Sequence, residues 1–263
     1  MLSLVALLAC AAPADDAQPP PSPPSIQQRT LPGESAPAGS TLQEAFPPPA
    51  GSRLADADPF GTYLRGLRVR AYSDPVRTHD GRTVGHHARV IDLPLVKGDL
   101  QQCADSALRL RAEFLRDSGA EVDFHATSGD AMPWARYAAG ERAYAVGNHL
   151  EWKQGSPATW EQYLTALFTW AGTASLEAHD TVSDTHPDPG DVLVQGGFPG
   201  HAIVLLDVAT QGDQTYVLVG EGFMPAQDFH VELGPHDGWW LWDDGVPLRH
   251  WPMPASALRR WKN

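Results

Sequence analysis

The chain has 263 residues, of which 42% are hydrophobic, which is enough for one or two domains with a core. Its 32 acidic residues outnumber its 19 basic ones, so the formal net charge is -13, and no run of lysine or arginine offsets this balance. Because nucleic-acid phosphates are bound by concentrated basic surfaces, the charge argues against a nucleic acid as partner.

The first ten residues resemble a lipoprotein signal peptide. An apolar run, residues 2–9, ends in a small residue directly before Cys10. This order is typical of signals whose cysteine is acylated after cleavage, so residues 1–10 are predicted to be the signal and Cys10 the lipidation site. The run is short and no basic residue precedes it, which leaves open a disordered cytosolic tail. No other segment approaches membrane-spanning length, so a lipid anchor is the only membrane contact expected.

Residues 11–55 are predicted to form a disordered tether. This stretch is rich in Pro, Ala, Ser and Gly and holds few large apolar residues, so it buries too little surface to offset its chain entropy. Residues 56–263 show no second low-complexity segment and no internal repeat, which predicts a single globular domain. In that domain a short helix is expected over residues 61–67 and a strand over residues 88–95.

The next predicted helix carries Cys103. Asp99 is a suitable N-cap and Gln102 follows three residues later, so residues 100–103 are predicted to form the first turn, and Gly119 ends the helix. If Cys10 is acylated, Cys103 has no partner within the chain, which suggests that it is buried, paired elsewhere or reactive. The helix dipole at this position is expected to lower the pKa of the thiol. The alternative is a cysteine that packs as a small buried hydrophobe.

The middle of the chain contains a strand, a hairpin and a second helix by their sequence patterns. A strand is predicted over residues 121–125, and residues 142–146 and 149–152 are predicted to pair across Gly147-Asn148. Thr159 and Gln162 form a second capping pattern, followed by a broad apolar face that indicates a helix packed on a sheet.

The last third of the chain is predicted to be antiparallel sheet. Strands are expected over residues 191–195, 201–208 and 216–221, with a turn at residues 211–213. His201 begins one strand and Glu221 ends its hairpin partner, so both are expected at the same end of the sheet. A carboxylate there can orient one imidazole nitrogen while the other faces a thiol.

Three tryptophans, Trp239, Trp240 and Trp242, form an aromatic cluster near the end of the chain. Core packing is the favoured interpretation, and a groove that binds sugar or peptide substrate is the alternative.

Four segments resemble a bacterial family known as domain of unknown function 4846: residues 99–105, 109–113, 195–202 and 223–228. The resemblance implies a bacterial envelope protein, often lipid-anchored and facing the periplasm or exterior. More distantly, the order of a helix-borne cysteine, a Pro-Gly-Asp strand and a Gly-His strand is similar to the NlpC-type and CHAP-type cell-wall amidohydrolases.

That second resemblance implies an α+β, papain-like fold in which the cysteine helix packs on an antiparallel sheet. It also implies Cys103 as nucleophile, His201 as base and Glu221 as orienting residue, with helix-start amides and Gln102 stabilising the oxyanion. The expected reaction is hydrolysis of peptide amide bonds, with cell-wall peptides, above all peptidoglycan stem peptides, as substrates.

Two other classes of function stay open. One is a non-catalytic envelope protein that binds glycan or peptide through an aromatic-lined groove, with Cys103 buried. The other is a zinc enzyme that uses some of the eleven histidines. Adjacent His86 and His87 would point to opposite faces of an extended segment, and the sequence lacks His-Glu-x-x-His and paired-cysteine spacings. No metal or other cofactor is therefore expected.

Overall fold

The computed structural model describes residues 33–84 and 89–262. The predicted signal peptide, the lipidation site Cys10 and the pair His86 and His87 lie outside the described residues. Within them, no helix is both long enough and apolar enough to span a bilayer.

Helices and strands follow one another throughout the described chain. The helices are α1 (Leu42–Ala45), α2 (Pro59–Arg65), α3 (Cys103–Asp117), α4 (Trp134–Ala138), α5 (Trp160–Trp170) and α6 (Thr173–Ser175), with a π-helical turn at Leu176–Asp180 and a 3₁₀ turn at Ala255–Ala257. The strands are β1 (Arg53–Leu54), β2 (Arg89–Val90), β3 (Glu141–Val146), β4 (His149–Gln154), β5 (Thr181–Ser183), β6 (Val192–Gln195), β7 (His201–Gln211), β8 (Gln214–Glu221), β9 (His230–Glu232), β10 (Trp240–Trp242), β11 (Gly245–Val246), β12 (Met253–Pro254) and β13 (Leu258–Trp261).

One antiparallel sheet organises the molecule. Its strand order is β2-β9-β8-β7-β6-β13-β5, with β1 also paired to β7 and β10 to β8. The longest strand, β7, forms a hairpin with β8 through a turn in which Gly212 has a φ of 57°. Glycine adopts such a left-handed conformation without steric cost, which is why the turn forms here.

Strand β7 is apolar on both sides, because the sheet is covered on both faces. Its residues Ala202, Val204 and Leu206 belong to the main core, which the helices α3 and α5 complete. Ile203 and Leu205 face a second core, which is closed by the segment that contains β11 and β12. The fold is therefore α+β, with the cysteine helix against the middle of an antiparallel sheet.

All three predicted helices are present: the short helix expected over residues 61–67 is α2, shifted two residues toward the N-terminus, and the cysteine helix starts later than expected. The predicted cap at Thr159 is confirmed, since its Oγ1 accepts the Gln162 N–H at 3.3 Å at the start of α5. The start predicted for the cysteine helix is wrong, because α3 begins at Cys103 with Gln102 as N-cap. Asp99 is instead a tertiary contact, accepting the Ala226 N–H at 2.7 Å.

The predicted strands fall into two groups. The hairpin β3–β4 and the strands β6, β7 and β8 are confirmed. The strand expected over residues 88–95 is reduced to β2, and residues 121–125 form only an isolated bridge, between His125 and Ala131. Alternating apolar residues indicated burial in both segments, but these segments pack as loops.

The folded domain begins before residue 56, so the predicted end of the tether is wrong. Leu42 and Phe46 are buried in the main core, and β1 pairs with β7. Three backbone carbonyls of residues 33–37 accept hydrogen bonds from the buried guanidinium of Arg89. The segment has few apolar residues, but those it has are used in the core, which offsets its ordering entropy.

Candidate active site

Cys103 is the first residue of α3, and its side chain points to the sheet. The residue is only 6% exposed and carries a free thiol. Backbone N–H groups of Ala202, Ala104 and Cys103 itself interact with the sulfur. Since Ala202 follows His201 in β7, the thiol lies against the start of that strand.

Burial dominates the protonation of this thiol. Desolvation raises the pKa of Cys103 to about 11, and the charge of Asp105 adds to the effect, while the N–H groups of Ala202 and Ala104 lower it. The lowered pKa expected from the helix dipole is therefore wrong, because removal from water outweighs the helix-start amides.

His201 and Glu221 form a buried pair at one end of the β7–β8 hairpin. Nε2 of His201 lies 3.0 Å from Oε2 of Glu221, and both side chains are almost fully buried. The other ring nitrogen, Nδ1, meets no hydrogen-bond partner among the described residues and so is not bonded to the Cys103 sulfur. The imidazole thus has one nitrogen held by a carboxylate and one left unsatisfied.

A close packing of β8 against α3 brings the helix to this pair. A Cβ added to Gly222, the residue after Glu221, would lie 2.7 Å from Ser106 Oγ and 3.1 Å from the Gln102 carbonyl oxygen. Only glycine allows this approach. The helix α3 and the end of the strand that carries Glu221 therefore meet without an intervening side chain.

Glu221 also contacts a third ionisable residue, His250. Nε2 of His250 lies 2.9 Å from Oε1 of Glu221, so each carboxylate oxygen faces one imidazole. Burial alone would raise the pKa of Glu221, but the hydrogen bonds from His201 and His250 outweigh it and lower this pKa to about 2. The carboxylate is therefore ionised at neutral pH.

A cleft of about 270 Å³ opens at the start of α3. Its walls include Cys103, Phe168, Thr173 and the glycine-rich loop of residues 197–200. Two large apolar side chains stand at its rim: Phe198 is 85% exposed and Met224 is 40% exposed. The cleft thus reaches the residue that carries the buried thiol, between two apolar side chains.

A family model described as Domain of unknown function (4846) matches residues 42–260. The chain belongs to this family. The matched region contains Cys103, His201, Glu221 and His250. No curated protein matches the chain, and no solved structure does.

Gln102 lies beside the cleft, but its side-chain amide is hydrogen-bonded to another residue of this 4846-family protein. Nε2 of Gln102 donates to Oδ1 of Asp99 at 3.2 Å, and its backbone N–H donates to Asp105 at 2.9 Å. The Gln102 residue lines the cleft, and its side-chain amide is directed to Asp99. The backbone N–H groups of Cys103 and Ala104, which already contact the sulfur, are better placed than the Gln102 amide to donate hydrogen bonds next to the thiol.

The tryptophan cluster lies apart from the cleft. Trp239 is fully buried, and its Nε1 donates to the Pro47 carbonyl at 3.0 Å. Trp240 and Trp242 are half-buried on β10 and pack against the second core. The prediction of a substrate groove is wrong for Trp239, because its ring is used to attach the segment of residues 41–55 to the sheet.

Among the residues that the structure describes, two groups of side chains could offer ligands to a metal ion. His201, Glu221 and His250 form one, and Glu221, His230 and Glu232 form the other, each with ligand atoms within 4.8 Å of one another. The contacts of Glu221 at 2.9 and 3.0 Å have ordinary hydrogen-bond lengths, and each joins an imidazole nitrogen to a carboxylate oxygen. Protons shared between these groups account for both contacts.

The sequence reasoning missed His250, Phe198 and Met224. His250 lies in an irregular segment between β11 and β12, where no periodic pattern indicates a partner. Phe198 and Met224 lie within segments that resemble the 4846 family, but no role was predicted for them. Each precedes a proline, and such turn sequences usually lie at the surface, which was the available indication that these side chains are exposed.

Proposed function

We propose that this protein is a cysteine hydrolase that cleaves peptide amide bonds, with Cys103 as nucleophile, His201 as base and Glu221 as orienting carboxylate. The observation that carries the proposal is the buried His201–Glu221 pair, in which Nδ1 is unsatisfied next to the strand residue whose N–H contacts the thiol. A buried polar atom without a partner has a cost that a catalytic role explains.

The chemistry is an acyl transfer in two stages. His201 takes the proton from the Cys103 thiol as the sulfur attacks the substrate carbonyl carbon. The imidazolium returns that proton to the leaving nitrogen, the C–N bond breaks, and a thioester remains on Cys103. His201 then deprotonates a water molecule that attacks the thioester, which releases the carboxylic acid and restores the thiol.

The raised pKa of the thiol favours a mechanism in which the proton leaves Cys103 during attack on the substrate and not before it. A thiol with a pKa of about 11 is protonated in the resting protein at neutral pH. Proton transfer therefore accompanies attack on a bound substrate, and His201 acts as a general base when the substrate closes the cleft. Contacts between such groups are often loose before substrate binds and tighten in the complex.

The start of α3 supplies the donors for the oxyanion. The backbone N–H groups of Cys103 and Ala104 face the sulfur side of the helix terminus, where N–H groups have no partner within the helix. Such fixed donors stabilise negative charge as it develops on the substrate oxygen.

The order of elements supports a papain-like, NlpC-like interpretation of the α+β fold. A cysteine opens a helix, and a later antiparallel strand begins with the histidine. With the predicted lipoprotein signal, this order supports a lipid-anchored protein of the bacterial envelope that acts on peptidoglycan stem peptides. The substrate assignment rests on location and on the cell-wall amidohydrolase resemblance.

The test of the proposed function is release of new amino groups from purified peptidoglycan. We expect the wild-type chain to release them and Cys103→Ala to lose at least about 10³-fold of the rate, because no nucleophile remains. His149→Ala, at an exposed histidine of β4, is the matched control and should keep the wild-type rate. Equal release by wild type and Cys103→Ala would overturn the proposal.

A role in binding without catalysis is the second candidate, and the burial of the thiol favours it. In that case the cleft between Phe198 and Met224 binds peptide, and Cys103 packs as a small apolar residue. Peptide binding that is unchanged in Cys103→Ala, together with no amine release by the wild type, would support this candidate.

A further inference from the structure

Glu221 divides its charge between two imidazoles that differ in their access to water. The His201 side chain is 0% exposed, whereas the His250 side chain is 35% exposed, and both lie at hydrogen-bond distance from the same 1%-exposed carboxylate. A change of charge on His250 therefore changes the electrostatic environment of His201 through the Glu221 carboxylate, which both rings contact.

We infer that His250 is a positioning residue of this site, which fixes the Glu221 carboxylate and sets from the surface how strongly Glu221 acts on His201. The inference rests on the proposed function, because it assigns a role in the Cys103–His201–Glu221 site.

Ring contacts place His250 beside both Glu221 and His201, as a positioning residue requires. Its ring packs edge-on against Phe223 with centroids 4.8 Å apart, and lies 6.1 Å from the His201 ring. Phe223 also packs against His201, at 5.3 Å. The Phe223 ring thus contacts both imidazoles that face the Glu221 carboxylate.

The charged groups around His250 come from three strands. The negative charge of Glu221 on β8 lies at contact distance, and that of Glu232 on β9 adds a weaker attraction. The hydrogen bond that His250 donates to Glu221 is the largest cause of the raised pKa of His250. His201 of β7 and His230 of β9 face the same carboxylate, and His230 is held by Glu232 at 3.0 Å.

The direction of the effect follows from charge. Below its raised pKa, His250 is a cation that neutralises much of the charge of Glu221. Above that pKa, His250 is neutral and still donates its Nε2–H, so the full carboxylate charge faces the His201 ring and stabilises the positive charge that develops there as the thiol proton moves. Reaction of Cys103 should therefore speed up as His250 loses its proton.

The experiment is nitrogen NMR of the histidine rings in the full chain, titrated in wild type, His250→Gln and Arg249→Gln. A glutamine amide can donate where Nε2 does but cannot carry the charge. We expect the chemical shifts of the His201 nitrogens to show an inflection at the pH where His250 titrates. This inflection should vanish in His250→Gln and persist in Arg249→Gln, which removes a charge from the same exposed segment.

Labelling of Cys103 by a peptidyl vinyl sulfone is followed in the same proteins and in His250→Leu. Loss of a hydrogen bond to a charged group should slow His250→Leu about 10-fold or more, and His250→Gln should recover most of the rate without the pH step. His201 nitrogens that ignore the His250 titration, or a His250→Leu rate and pH profile equal to wild type, would overturn the inference.

Two further outcomes are informative. A divalent metal that copurifies stoichiometrically with the wild type and is lost in His250→Gln would make His250 a ligand and overturn the inference. If the wild type neither cleaves peptides nor reacts with the sulfone, the proposed function fails, while the NMR titration still decides whether His250 controls His201.

Discussion

Burial and backbone dipoles act in opposite directions on the Cys103 thiol. The N–H groups at the start of α3 and at Ala202 favour the thiolate, whereas removal from water disfavours it more strongly. The result is a thiol that stays protonated at neutral pH. Under the proposed function, it reacts only when a substrate and a base approach it together.

Alkylation by iodoacetamide measures this protonation state. In a Cys10→Ser chain, we expect slow modification of Cys103 at pH 7 and a rate that climbs toward pH about 11, since the thiolate is the reacting form. The same chain unfolded in urea is the control, and should show the ordinary thiol pKa of about 8.5. A native rate that is half-maximal at pH 8 or below would contradict the burial described here.

Among the site residues, those on regular strands could be predicted from sequence. His201 and Glu221 lie at opposite ends of two strands joined by one turn, so antiparallel pairing alone brings them to one edge. His250 could not be found in this way, because its contact with Glu221 depends on an irregular segment after β11. The burial of the thiol also depends on tertiary packing, which periodicity does not give.

At the scale of elements, the contact between α3 and the end of β8 controls the geometry of the site. The start of α3 was predicted three residues early because Asp99, followed by Gln102, matches a capping-box pattern. The structure uses Asp105 for the helix, through its bond to the Gln102 N–H, and Asp99 for a loop. Sequence alone does not distinguish two acids at such spacing.

A methyl group at position 222 tests that contact. We expect Gly222→Ala to destabilise the fold by about 1–3 kcal/mol and to slow Cys103 labelling, because the new Cβ meets Ser106 and the Gln102 carbonyl. The measurements are the free energy of unfolding in urea and the labelling rate of the folded fraction.

Gly66→Ala is the matched control for this variant. Gly66 has a φ of -81°, and a Cβ there meets its nearest neighbour at 3.4 Å, an ordinary contact. It should leave both quantities nearly unchanged. A Gly222→Ala protein with wild-type stability and labelling would show that α3 and β8 are not held together as described.

At the scale of the whole molecule, local sequence patterns predicted the helices, the strands and the α+β class better than they predicted where the folded domain begins. The last strands and the α5 helix have strong periodicity and caps, and both were predicted. The segment of residues 41–55 was assigned to a tether because its composition is poor in apolar residues. It folds because Leu42 and Phe46 complete a core whose other members lie far along the chain.

The central strand explains why one sheet can hold both a core and a site. β7 is buried on both faces, so its first residue, His201, is held rigidly where the sheet meets α3. A site built on regular elements is better defined than one built on loops. The net charge of -13 disfavours a polyanion as ligand, and the apolar rim of the cleft is compatible with the peptide substrate proposed above.

Covalent labelling of native Cys103 by a peptidyl vinyl sulfone at pH 7.5, followed by intact mass, tests the catalytic assignment most directly. The account predicts one adduct per chain on Cys103, formed at least about 10²-fold more slowly in His201→Gln, since the base is lost, and at the wild-type rate in His149→Gln. A native protein that stays unlabelled, or a His201→Gln protein labelled as fast as the wild type, would contradict it.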